Sequence, residues 1–327
     1  MFARITCLSP YTLGTVRAMF KGRHEVEITF VPDPPAQPAV LAACREAHLL
    51  IGDQRHKHRV DRAVLEQMRS CRLIQMPAVG FDIIDHRSAA EFGIPVANTA
   101  GYNRDSVADW TVMAAIALLR HSFWGDRAIR AGRWGPGDRM REEMLGHELG
   151  AMTVGIIGLG NVGASVAHRM AAFGARIIFT DVVPRDSTEA ERVDLDVLLS
   201  QSDIVCVHTP LDVDTKALID GATLARMKPG SILINAARGP IVDEDALTQA
   251  LLSGHLGGAG LDVFATEPLP ADSPLRKLDN VVLAPHAGGA TFEADARLIE
   301  AVGDNLLRVL DGLPPLNIVN GVEMHAR

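Results

Sequence analysis

The chain has 327 residues, of which 47% are hydrophobic and 22% charged, a length and balance that suit two globular domains with sizeable cores. A formal net charge of −8 and only 5% aromatic residues, with no long Lys/Arg run, argue against a nucleic-acid partner, which calls for a basic stripe or a stacking platform.

The first hundred residues alternate short apolar runs with helical patterns. Strands are expected over 4–8, 25–31, 47–52 and 72–76, and helices over 38–46 and 61–69. Such alternation predicts a parallel sheet with helices on both faces. The Ala-, Val- and Leu-rich stretch 105–130 predicts one long helix, capped by Asn103 or Asp105 and buried by more than one partner. The glycine-rich 131–137 reads as a loop. A second alternation follows, with strands over 152–157, 176–180, 203–207, 231–235, 258–263 and 281–284. Helices fit between them at 162–173, 195–201, 223–227 and 244–253, and a last long helix at 291–311. No run approaches the 18 or so apolar residues of a spanning helix, and the N-terminus lacks the apolar segment of a signal peptide. Cys7, Cys44, Cys71 and Cys206 form no C-x-x-C pair, so reduced thiols in a cytoplasmic protein are expected and no metal site is.

The sequence Gly158-Leu159-Gly160-Asn161-Val162-Gly163 follows an expected strand and opens an expected helix. Glycine permits the tight turn and the close approach of backbone to a pyrophosphate, and the helix N-terminus offers free N–H groups to it. Asp181 closes the next strand, where a carboxylate can accept both ribose hydroxyls of NAD and repel a 2′-phosphate. Arg185 lies four residues on and leaves tolerance of NADP open.

Three further residues suit the reduction of a 2-oxo acid. Arg238, just past the strand 231–235, offers a planar fork for a substrate carboxylate. His286, after the last strand, is a proton carrier that works near neutrality. Glu267, in Asp262-Val263-Phe264-Ala265-Thr266-Glu267-Pro268, would fix the tautomer of that imidazole and favour its charged form. Asp262 could bind the nicotinamide carboxamide or order the loop. Alone, each could be an ordinary loop residue; their order along the chain is what makes the set specific.

These residues resemble the D-isomer-specific 2-hydroxyacid dehydrogenase family. The likeness extends to Ala78-Val79-Gly80-Phe81-Asp82, to Val96-Ala97-Asn98-Thr99 and to Ser106-Val107-Ala108-Asp109, and so covers nearly the whole chain. The resemblance implies an α/β protein of two doubly wound parallel-sheet domains. A Rossmann NAD-binding domain (102–289) would be inserted into a flavodoxin-like substrate domain (1–101 with 290–327), with hinges near 100 and 290 and a homodimer built around the long helix. It implies Arg238, Glu267 and His286 as catalytic residues, with backbone at Val79 and Gly80 helping to hold substrate. Gly158, Gly160, Asn161, Val162, Gly163, Asp181, Thr209, Ala236, Asp262 and Gly288 would bind NAD.

Departures from the family narrow the reading. Asp109 stands where a Glu is usual, a change expected to tune packing rather than chemistry. Glu267 replaces the Gln of related formate dehydrogenases, and Val79 replaces the Lys of phosphite-oxidising relatives. The rival readings are an NAD-sensing corepressor-like protein and a dehydrogenase of a non-carbon donor such as phosphite. The short segment after the last helix argues against a regulatory extension. The basic run Arg55-His56-Lys57-His58-Arg59 either recognises a second anionic group of the substrate or forms a solvated loop.

Overall fold

The computed structural model describes residues 2–31, 36–55, 57–134 and 139–323. They fall into two compact units, one of Met1–Asn103 with Thr291–Arg327 and one of Arg104–Ala290.

The first unit begins β1 (Phe2–Cys7), α1 (Leu13–Met19), β2 (Glu25–Phe30), α2 (Gln37–Cys44) and β3 (Leu49–Ile51). It continues with α3 (Arg62–Leu65), β4 (Leu73–Gln75), α4 (His86–Glu91) and β5 (Val96–Ala97). The strands form one parallel sheet in the order β2-β1-β3-β4-β5, the flavodoxin-like order. β3 and β4 are buried at every residue, so they read as unbroken apolar runs rather than alternating ones. Short polar side chains set the helix starts: Thr12, Asp61 and Asp85 each accept an N–H three residues on. The C-terminal segment completes this unit. Its helix, α12 (Phe292–Leu310), buries Leu298, Val302 and Leu306 against Ile5, Met19 and Leu49. Asn305 donates to the buried Gln75 Oε1 at 2.7 Å, and the N–H of Asn98 to the carbonyl of Asn317 at 3.1 Å.

The second unit opens with α5 (Arg104–Leu119), α6 (Ser122–Arg130) and α7 (Met140–Glu143). The expected single helix over 105–130 is therefore two. His121 sits at φ 51°, the left-handed region. The carbonyl of Leu119 accepts the N–H of His147 at 3.0 Å, and a Cβ on Gly146 would lie 2.0 Å from that same oxygen. A distant segment thus takes the hydrogen bond that would have continued the helix. α5 is buried on many sides, against helix and sheet. Of the expected loop 131–137, positions 135–137 lie outside the described residues.

The remaining elements are β6 (Thr153–Ile157), α8 (Asn161–Ala172), β7 (Arg176–Thr180), β8 (Ala190–Arg192), α9 (Leu195–Gln201), β9 (Ile204–Val207) and α10 (Gly221–Ala225). Then come β10 (Ile232–Asn235), α11 (Glu244–Leu252), β11 (Gly258–Leu261) and β12 (Val281–Leu283). The seven strands β6–β12 form a parallel sheet in the order β12-β11-β10-β9-β6-β7-β8. Its strand order reverses between β6 and β9, and in such sheets ligands bind outside the carboxyl ends of the strands at that point.

Candidate active site

The glycine loop joins β6 to α8, and its three glycines are required for three different reasons. Gly158 has φ +93°, and a Cβ there would meet the carbonyl oxygen of His208 at 2.8 Å. A Cβ on Gly163 would lie 2.1 Å from the carbonyl oxygen of Gly158, so no side chain fits between turn and helix. Gly160 is different: a Cβ there meets nothing within 4 Å. Space above Gly160 is open, as a pyrophosphate approaching the backbone requires. Gly160 also precedes α8 without any side-chain cap, and the N–H groups of Asn161, Val162 and Gly163 have no recorded partner among the described residues. A helix start with free N–H groups and open space fits a phosphate.

Asp181 is already engaged at both carboxylate oxygens. Its Oδ2 accepts the N–H of Leu159 at 2.8 Å and its Oδ1 that of Val183 at 2.9 Å. One carboxylate therefore fixes both the glycine loop and its own turn, with lone pairs left for further donors. Arg185 Nε lies 3.7 Å from Oδ2, and Arg192 donates to the Asp181 carbonyl at 2.7 Å. Thr209, half-buried, follows the neighbouring strand β9.

At the end of β10 the buried Asn235 organises the turn. Its Oδ1 accepts the N–H of Ala237 at 3.0 Å and its Nδ2 donates to the carbonyl of Arg238 at 3.0 Å, which sets Ala236 and Arg238 past the strand end. Arg238 is half-buried and donates to the carbonyl of Ala237 at 2.7 Å. Gly239 lets this turn touch the next strand end, since a Cβ there would sit 1.9 Å from the carbonyl oxygen of Phe264.

Glu267 and His286, nineteen positions apart, are brought together. Nδ1 of His286 lies 2.8 Å from Oε2 of Glu267. The other Glu267 oxygen accepts the N–H of Phe264 at 3.1 Å, so the carboxylate is held at both ends. Both side chains remain partly open to solvent, at 49% and 37%. His286 has φ +54°, a conformation that costs a non-glycine residue about 1–2 kcal/mol. Asp262 holds it there. The carbonyl of Asp262 accepts the N–H of His286 at 2.8 Å, and its carboxylate accepts those of Ala287 at 2.7 Å and Gly288 at 2.8 Å. Gly288 is required for this seat, since a Cβ would meet Asp262 Oδ2 at 2.8 Å. Burial pushes the Asp262 carboxyl upward despite those two N–H groups, which pull it down. Of the two roles open to Asp262 from sequence, ordering the loop is visible in this geometry.

Val79 and Gly80 lie in the first unit, in the turn after β4, with Val79 exposed. In the described part of the basic run 55–59, Arg55 and His58 are gathered at Asp53, with Arg55 Nε 3.7 Å from its Oδ1. Asp53, fully buried, accepts the N–H groups of Arg55, Lys57 and His58 and lies 2.6 Å from His58 Nδ1. His58 is itself buried, and His56 lies outside the described residues. Asp109 pairs at the surface with Arg169 of α8 at 2.7 Å. Sequence reasoning missed Asn235, Asp53 and Glu244, whose Oε2 accepts the N–H of Ala265 at 3.0 Å.

A family model described as the D-isomer specific 2-hydroxyacid dehydrogenase NAD binding domain matches residues 112–288, more than half of the chain. The chain belongs to this family. The glyoxylate reductase of Korarchaeum cryptofilum is 39% identical over 310 residues, 93% of this dehydrogenase and 92% of that relative. Among solved structures, the holo form of Rhodotorula graminis D-mandelate dehydrogenase superposes with a TM-score of 0.88 at 28% identity, over 99% of both chains. An NAD-dependent formate dehydrogenase from Staphylococcus aureus, solved with NAD, gives a TM-score of 0.81 at 31% identity, over 94% of this chain and 96% of that one. The protein is an NAD-dependent oxidoreductase of the 2-hydroxyacid dehydrogenase family. Among its described residues no helix is long and apolar enough to cross a membrane.

Proposed function

We propose that this dehydrogenase transfers a hydride reversibly between NAD(H) and a small D-2-hydroxy acid/2-oxo acid pair, with glyoxylate or hydroxypyruvate as the oxo acid. The observation that carries the reading is the Glu267–His286 pair at 2.8 Å. NADH, when bound, supplies the hydride. Glu267 holds Nδ1 of His286, which leaves Nε2 as the atom that gives a proton to the substrate carbonyl oxygen. The partial exposure of the pair lets solvent return the proton. In the reverse direction the neutral imidazole takes the hydroxyl proton. Arg238 would hold the substrate carboxylate through its fork and polarise the adjacent carbonyl, with Val79 and Gly80 backbone as further substrate contacts.

The proposed dinucleotide set is Gly158, Gly160, Asn161, Val162, Gly163 and Asp181, joined by Thr209, Ala236, Asp262 and Gly288. The unit Arg104–Ala290 is then the NAD-binding domain and the other unit the substrate domain. Relatives named glyoxylate reductase or glyoxylate/hydroxypyruvate reductase, 36–40% identical, support a small oxo acid. A homodimer is part of the proposal, because Phe123, Ile129, Trp134 and Leu145 expose apolar surface around α6 and α7. Sedimentation at micromolar concentration checks it; a monomer would refute it.

The deciding experiment follows NADH absorbance with glyoxylate, hydroxypyruvate, pyruvate, phenylpyruvate and 3-phosphohydroxypyruvate, each repeated with NADPH. Turnover of glyoxylate or hydroxypyruvate with NADH above the others is expected. Tight NADH binding without turnover of any acid would refute the reading.

A further inference from the structure

The turn after β4 runs through Ala78, Val79 and Gly80, and the residues after β5, Asn98 and Thr99, lie against it. Asn98 Nδ2 donates to the carbonyl of Val79 at 2.8 Å. The N–H of Thr99 donates to the carbonyl of Ala78 at 3.1 Å. Both residues are buried, at 7% and 2% exposure, and Asn98 is anchored in turn by its N–H on the carbonyl of Asn317 at 3.1 Å. Two successive carbonyls are thus drawn to the same side.

Neither peptide bond is among the cis ones recorded. In a planar trans peptide the N–H points away from its own C=O. The N–H groups of Val79 and Gly80 therefore face the side opposite Asn98 and Thr99. Neither has a recorded partner among the described residues, and Val79 is 39% exposed. Successive N–H groups turned to one open side form a concavity that suits an anion.

We propose that Asn98 is a positioning residue for the reaction. Its amide, with the Thr99 N–H, turns the Val79 and Gly80 N–H groups outward as a cradle for the carboxylate of the oxo acid. This rests on the function proposed above. Asn98 never touches the substrate; it fixes the peptide planes that do.

The test compares Asn98→Ala with Asn98→Asp, which keeps the side-chain volume but at neutral pH offers the Val79 carbonyl an acceptor instead of a donor. Three quantities are measured on the full chain: KM and kcat for glyoxylate, the Kd of NADH, and hydrogen exchange of the Thr99 N–H bonded to the turn. Both variants are expected to raise KM about tenfold while kcat and NADH Kd stay within about twofold, since a hydrogen-bonded carboxylate contact is loosened. Exchange of the Thr99 N–H, which the Ala78 carbonyl now holds, should quicken in both. A lowered melting temperature with KM and exchange unchanged would overturn the inference, because Asn98 would then only stabilise the fold. If the wild-type protein reduces no oxo acid, the functional reading fails, and exchange alone decides whether Asn98 holds the turn.

Discussion

Gly160 and Gly163 stand three residues apart in one motif, yet alanine should harm them in opposite ways. At Gly163 the new Cβ would sit 2.1 Å from the carbonyl oxygen of Gly158. Ordinary contact needs about 3.4 Å, so the start of α8 must retreat by roughly 1.3 Å, an overpacking that costs about 1–3 kcal/mol. Gly163→Ala should therefore lower the melting temperature and weaken NADH binding together. At Gly160 the new Cβ meets nothing within 4 Å, and φ is −77°. Alanine gains a few tenths of a kcal/mol from the unfolded chain and loses about as much as a poorer N-cap, so stability should hardly move. Binding should suffer, because the methyl occupies the space a pyrophosphate needs. Losing one charge-assisted hydrogen bond of about 1.5–3 kcal/mol raises Kd by roughly ten- to a hundredfold. Thermal unfolding and fluorescence titration with NADH measure both properties on both variants. NADH binding to Gly160→Ala with wild-type affinity would refute the reasoning, since the open space would then have no ligand.

Other expectations concern the chemistry and the pH response. His286→Ala should lower kcat by about two to four orders of magnitude and leave NADH binding intact; unchanged kcat removes His286 from the proton step. Arg238→Lys should cut kcat/KM for the oxo acid, since a point charge cannot replace a planar fork, and steady-state kinetics with unaltered kcat/KM would remove Arg238 as the anchor. His208, whose buried Nε2 has no hydrogen-bond partner among the described residues, is pushed down to about 4 by burial. A histidine depressed in the folded state stabilises it fully only above its unfolded value. Wild-type stability relative to His208→Gln should accordingly decline as pH falls from about 6.5 toward 4, and parallel curves in denaturant titrations across that window would contradict this.

Much of the architecture was legible in the sequence, because parallel strands buried on both faces leave unbroken apolar runs. β7 and α9 occupy the spans expected for them, 176–180 and 195–201. What escaped was settled by distant partners. No glycine or proline marks the break after Leu119; the N–H of His147 makes it. β5 and β8, of two and three residues, are too short to carry a period, and pairing alone defines them. In the site, residue types announced the Glu267–His286 pair, since few other partners suit that chemistry. The Asp262 carboxylate on the Ala287 and Gly288 N–H groups was not legible, because backbone donors carry no signature in sequence. Asp53, just before a run read as either anion recognition or a solvated loop, escaped for the same reason, since it gathers the backbone N–H groups of Arg55, Lys57 and His58.

On the reading proposed above, in which Asp181 receives the ribose, its hold on the glycine loop limits how coenzyme preference can change. A switch toward NADP calls for removing this carboxylate, and Arg185 and Arg192 stand ready beside it. Yet the same carboxylate is the acceptor for Leu159 in the glycine loop. A single substitution that admits the extra phosphate would also unfasten the loop that grips the rest of the dinucleotide. On that reading, adaptation to NADP would need a second acceptor for Leu159 to arise first.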